Sequence, residues 1–215
     1  MCSEFFLQSQ ARRYAGADAL QVMLEEAIAL HAPLRVRPTV RAPILRGTVA
    51  GPELAQAAWG LIPGWAKDRT IARHTFNARA ETVHEKPAFR AAFRRRRCLV
   101  PVSGWVEWTG PRGRRERRYL HPENGRAVCF AGLWETWAGE GEPLETFTVV
   151  TTAAAPAIAA VHDRMPRVLL CADERAIWLE GASEAARALL DEPAPVPEDL
   201  QVHTQLADPG ALAAP

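Results

Sequence analysis

The chain has 215 residues, of which 48% are hydrophobic, 24% charged and 7% aromatic, a balance too apolar for disorder and too evenly mixed for a fibre. One soluble compact domain over 1–215 is therefore expected. No uncharged run approaches the ~20 apolar residues of a membrane span, and MCSEFF lacks the basic and apolar regions of a signal peptide, so the expected setting is the cytoplasm, with no membrane. The net charge of +1 hides an asymmetry: Arg90 to Arg118 holds ten arginines against Glu107 and Glu116, whereas Ala172 to Pro215 holds nine acids against Arg175 and Arg187. The first segment suits a polyanion and the second repels one.

In chain order, Asp18 caps a helix to about Leu30, with Leu20, Met23, Leu24, Ala27 and Ile28 on one face. Lys86 to Arg95 reads as a short helix with Pro87 in its first turn. Strands follow at Cys98–Val102, Trp105–Thr109, Arg117–His121, Ala127–Thr136 and Leu144–Thr152, with the basic PRGRRER between the second and third as a hairpin loop. A helix around Pro156 to Val161 leads to His162, and Arg167 to Cys171 forms another strand. Asp173 opens a helix that Gly181 closes, and Ser183 to Leu190 forms one more. Residues 191–215, rich in Pro and Ala, read as an irregular stretch. Strands in the middle and helices at the ends predict an α+β fold with a mostly antiparallel sheet.

The four cysteines, Cys2, Cys98, Cys129 and Cys171, have no zinc or CxxC spacing. The last three lie in apolar runs and read as core residues, and Trp134 and Trp178 are assigned to the core as well. No metal and no cofactor is expected. Cys2 is different: loss of Met1 would leave an amine and a thiol on adjacent carbons, with reference pKa values of about 8 and about 8.5, so both would be partly nucleophilic near neutrality. That pair can condense with an aldehyde to a thiazolidine; the ordinary alternative is a frayed terminus.

FNARAET, Phe76 to Thr82, sets Asn77 beside Arg79, a fork for phosphate, or else makes a polar turn. In GWVEW, period two puts Trp105 and Glu107 on one face of a strand and Val106 and Trp108 on the other. A carboxyl beside Trp in a dry site would act as a general acid; in the open it would pair with arginine. HDRMP joins His162, Asp163 and Arg164 at a helix end, an address for proton transfer, although a lone His is commonly structural. Tryptophans near the arginine-rich stretch, notably Trp65 in LIPGWAKD, can stack on unpaired bases.

In this order Cys2, FNARAET, GWVEW and HDRMP resemble the SRAP family, the SOS response-associated peptidases, from the initial MC to LLDEPAPVPEDL. The resemblance implies a curved, barrel-like sheet flanked by helices, a groove for single-stranded DNA, and covalent attachment of the N-terminal cysteine to an abasic-site aldehyde. It implies catalytic roles for Cys2, Asn77, Glu107 and His162 and DNA contacts for Arg79, Trp65, Trp105, Trp108 and Arg164. The expected protein is a monomer acting in DNA repair, with Met1 removed either autoproteolytically, as the peptidase name implies, or by a general aminopeptidase, and with a lyase-type activity. The alternatives are a noncovalent single-strand binder and a cysteine peptidase acting on other proteins. Two positions depart from the family's pattern: Ser3 and Glu4 replace a Gly-Arg pair, reversing a charge that grips phosphate, and PTVRAP, Pro38 to Pro43, lacks an Asn.

Overall fold

A computed structural model describes residues 2–8, 17–111, 114–139 and 141–204. Among these, two sheets carry the architecture. The larger contains β3 (Arg41–Thr48), β4 (Gly51–Trp59), β6 (Arg97–Val102), β9 (Val128–Trp137) and β10 (Leu144–Ala153), hydrogen-bonded in the order β10-β4-β3-β6-β9. Because β9 also pairs with β10, these five strands close into a ring. The three-residue β5 (Asn77–Arg79) adds parallel to β10, which is parallel to β4 as well; the other pairings are antiparallel. The second sheet has the order β13-β8-β7-β1-β2, built from β1 (Glu4–Leu7), β2 (Leu34–Val36), β7 (Gly104–Thr109), β8 (Glu116–Pro122) and β13 (Leu200–His203). The expected α+β fold with a curved, mostly antiparallel sheet is what the chain adopts.

Alternation along the strands fills the space between the sheets. Phe5 and Leu7 from β1, Trp105 from β7, Phe130 from β9 and Phe147 from β10 are fully buried in one core. Phe5 meets Trp59 and Phe130 at centroid distances of 5.1 and 6.3 Å. Gly104 lets β7 close on β8, since a Cβ there would lie 2.6 Å from Tyr119 Oη and 2.8 Å from the Leu120 carbonyl. Around the sheets lie α1 (Ala19–His31), α2 (Arg90–Arg95), α3 (Pro156–Ala159), α4 (Ala172–Glu180) and α5 (Ser183–Asp191). Asp18 caps α1 as its sequence indicates, accepting from the Gln21 amide at 3.0 Å.

The five central strands and α1 fall within a residue or two of their sequence-based positions. Four expectations need correction. The helix near Lys86 begins only at Arg90: residues 87–89 form a turn in which the Phe89 and Arg90 amides share the Lys86 carbonyl, and the regular helix follows it. The strand expected at Arg167–Cys171 is instead β11 (Arg164–Pro166), paired with β10, and β12 (Val168–Leu169), paired with β9. Arg167 bridges the two, its amide donating to Val150 and its carbonyl accepting from Ala131. Cys171 is exposed and not a core residue: its sulfur accepts from the Glu174 amide as the N-cap of α4, and the Glu174 carboxylate answers with the Cys171 amide. Within 191–204 the chain is not wholly irregular, since β13 pairs with β8; residues 205–215 lie outside the described residues. Trp178 is fully buried, whereas Trp134 is only partly so, with the Arg46 guanidinium 4.4 Å above its ring.

Candidate functional site

The start of β1 brings Cys2 against the core. Its side chain is fully buried, and the thiol points to the Glu4 carbonyl at 3.7 Å. Burial raises the thiol pKa well above its ordinary value, and the negative charge of Glu107 raises it further. Asn77, first residue of β5, is held in place by pairing with Val149 of β10, and its Nδ2 donates to the Cys2 carbonyl at 2.6 Å. Its Oδ1 is shielded from solvent and has no hydrogen-bond partner among the described residues.

Glu107 lies on the inner face of β7, one residue beyond Val106, which pairs with Glu4 of β1. It is fully buried, as period two requires once Trp105 points inward. Burial pushes its carboxyl up to about 7, and the charge of Asp163 adds to the rise. Such a group exchanges protons near neutrality. The exposed, arginine-paired arrangement considered for this carboxyl is not the one found.

His162 sits between α3 and β11. The Arg164 amide lies 3.0 Å from its Nδ1. Asp163 Oδ1 comes within 2.8 Å of the same nitrogen, a contact that becomes an ion pair only when the ring is protonated. Burial lowers the imidazole pKa, favouring the neutral ring, while the charge of Asp163 works the other way.

These elements surround a cleft of about 780 Å³ lined by Ser3, Arg79, Trp108, Arg115, His162 and Arg164 among others. Arg79 is exposed in it. Trp108 is partly exposed, with the Arg117 guanidinium 5.7 Å from its ring centroid. Arg164 reaches the cleft but is already engaged, by both oxygens of Glu81 at 2.5 and 3.0 Å and by the Thr151 carbonyl at 2.6 Å. Trp65 is 61% exposed and stands apart from the residues lining the cleft. Trp105 requires correction as a DNA contact: it is fully buried, edge-on to Phe130 at 5.6 Å, and offers no face to a base. Arg115, in the loop after GWVEW, is a cleft residue that sequence reasoning did not single out, although the basic PRGRRER carries it. No group of three or more His, Cys, Asp or Glu side chains is gathered as metal ligands among the described residues.

Comparison with known proteins follows the same lines. A solved structure from Bacteroides thetaiotaomicron superimposes with a TM-score of 0.74 at 25% identity, covering 96% of this chain and 93% of that one. A second, from Bordetella bronchiseptica, has a TM-score of 0.75 at 22% identity, covering 95% and 100%. The abasic site processing protein YoqW of Bacillus subtilis is 40% identical over 129 residues, 59% of this chain and 57% of that protein. YobE of the same organism, also described as an abasic site processing protein, is 32% identical over 182 residues, 83% of this chain and 82% of its own length. The vertebrate abasic site processing protein HMCES of Xenopus tropicalis is 30% identical over 150 residues, with 45% of its length matched. The match to YoqW thus spans little more than half of that relative, but the family model for the SOS response associated peptidase matches residues 1–206, and the chain belongs to that family.

Proposed function

We propose that the protein processes abasic sites in single-stranded DNA by forming a covalent adduct through Cys2 once Met1 has been removed. Water hydrolyses the Met1–Cys2 amide, freeing the Cys2 α-amine. The amine adds to the aldehyde carbon of the ring-opened sugar, the carbinolamine loses water to an imine, and the thiol adds across the C=N bond. The sulfur–carbon bond closes a thiazolidine, and the thiol proton passes to nitrogen. One water is released per adduct, and no redox partner is needed.

The observation that carries this reading is the Asn77–Cys2 hydrogen bond. It ties the second residue of the chain to a site 75 residues away, holding it beside a buried carboxyl and next to a cleft that Arg79 and His162 line. Glu107, balanced between its two forms near neutrality, supplies and recovers the proton as water leaves the carbinolamine. His162, whose neutral ring burial favours, exchanges a proton with the opened sugar oxygen. The unpartnered Asn77 Oδ1 is an acceptor for the freed amine or a sugar hydroxyl. The names of the relatives agree with the substrate, and the adduct would shield the lesion from strand cleavage. The protein would act as a monomer in the cytoplasm, on exposed single strands; lyase-type activity would arise at the imine, where loss of a C2′ proton breaks the C3′–oxygen bond and the 3′-phosphate leaves by β-elimination.

Incubation with an abasic oligonucleotide and denaturing electrophoresis tests the proposal. The wild-type protein should give a heat-stable shifted band, with a mass showing loss of Met1 and of one water. Cys2→Ser, which retains an amine but no thiol, should give at most a species trapped by borohydride. A normal yield of stable adduct from Cys2→Ser would remove the thiol from the mechanism.

A further inference from the structure

The reversed charge at position 4 is not left to face the DNA. Glu4 is 3% exposed and its carboxylate binds three arginines from two other stretches of chain. Arg35 of β2 donates Nε to Oε1 at 2.7 Å and Nη2 to Oε2 at 3.0 Å; Arg37, just past β2, donates Nε to Oε2 at 3.1 Å; Arg117 of β8 donates Nη2 to Oε1. Three cations against one anion leave the cluster at +2. The arginines stay half-open to solvent, Arg37 most of all with 55% of its side chain exposed, and its Nη groups make no hydrogen bond among the described residues.

The cluster's place on the sheet points to its use. Glu4, Phe6, Val106, Trp108, Arg117 and Tyr119 share the outer face of the second sheet, with Arg35 5.9 Å from the Phe6 ring centroid. Trp108 lies under Arg117 and lines the cleft, so the cluster begins where the cleft ends. Guanidinium groups held in a fixed array with surplus positive charge and free Nη donors match the oxygens of a phosphodiester.

We propose that Arg35, Arg37 and Arg117 form a backbone-phosphate site for the strand leaving the cleft, and that Glu4 is its positioning residue. This rests on the reading of the protein as a single-strand binder. Glu4 then favours DNA binding, although it is itself an anion.

The sign of one variant tests this. Glu4→Gln makes the site more positive by one charge while releasing the three arginines, which then repel one another. Affinity of the purified protein for an undamaged single strand at low salt should fall several-fold; equal or tighter binding would overturn the proposal. Arg37→Gln, at an exposed position that folding tolerates, should weaken binding and reduce the salt dependence of log K by about 0.7, the value for one phosphate on a single strand. Arg126→Gln, at a separate cleft beside Gln21 and Pro197, removes the same charge and should leave that slope unchanged. Equal slopes for the two arginine variants would overturn the proposal. Both measurements use noncovalent binding, so a failure of adduct formation by the wild-type protein would count against the proposed chemistry and not against this site.

Discussion

Glu107 should make the protein's stability depend on pH near neutrality, and Glu107→Gln should abolish that dependence. The carboxyl is fully buried and is pushed from 4.5 up to about 7 in the folded chain. In the unfolded chain it ionises in the ordinary range. Between the two values the folded state therefore holds a proton that the unfolded state has lost, and stability falls as pH rises through this window. Below the window both states are protonated and there is no penalty; above it the full cost of a buried carboxylate is present. That cost is about 3 kcal/mol for a displacement of this size. Gln has nearly the same shape and never ionises, so its own packing costs are independent of pH. Urea unfolding of both proteins should show midpoints whose difference changes by about 1 M between about pH 4.5 and about pH 8.5 in favour of Gln at the higher pH, given a urea dependence of about 3 kcal/mol per M for a chain of this size. An identical difference at both pH values would show that Glu107 does not titrate near neutrality and would undermine its role as a proton carrier.

Thiol alkylation of the native protein should modify Cys171 first, since it alone of the four cysteines is exposed, while Cys98 and Cys129, whose thiol pKa values burial pushes well up, react only on unfolding. Peptide mass mapping after a short pulse of iodoacetamide checks this, and rapid labelling of Cys98 or Cys129 would contradict the closed core. On the proposed reading of the cleft as a DNA path, Arg79→Ala should weaken single-strand binding and lower the salt dependence of log K by about 0.7, the value for one phosphate contact, since the side chain is exposed in the cleft. Fluorescence titration across a salt series measures it, and an unchanged slope would remove Arg79 from the DNA path.

Part of the fold was legible without coordinates. The central strands from Arg97 to Ala153 follow from runs of β-branched, aromatic and other apolar residues bounded by turn residues, and Asp18 announces α1 by its capping oxygen. Cys2, Asn77, Glu107 and His162 were selected through the resemblance of their ordered motifs to the SRAP family, each motif being ambiguous by itself. Short elements were illegible: β2 and β5 have three residues each, too few for any period to show. β13 hides in a Pro-rich stretch because an edge strand is stabilised by its neighbour's backbone more than by its own side chains.

Local sequence thus determined which groups could react and which alternate side chains share a face. It placed Trp105 and Glu107 together and opposite Trp108, but both faces of that strand are aromatic, so only packing against Phe130 decided that Trp105 and Glu107 turn inward. The same holds for charge. Residue 4 reads as an acid beside a DNA site until the fold brings in Arg35, Arg37 and Arg117 from 31, 33 and 113 residues away. Burial and long-range pairing set the pKa of a carboxyl and the sign of a surface, and both arise from neighbours that are distant along the chain, so they exist only once the tertiary structure has formed.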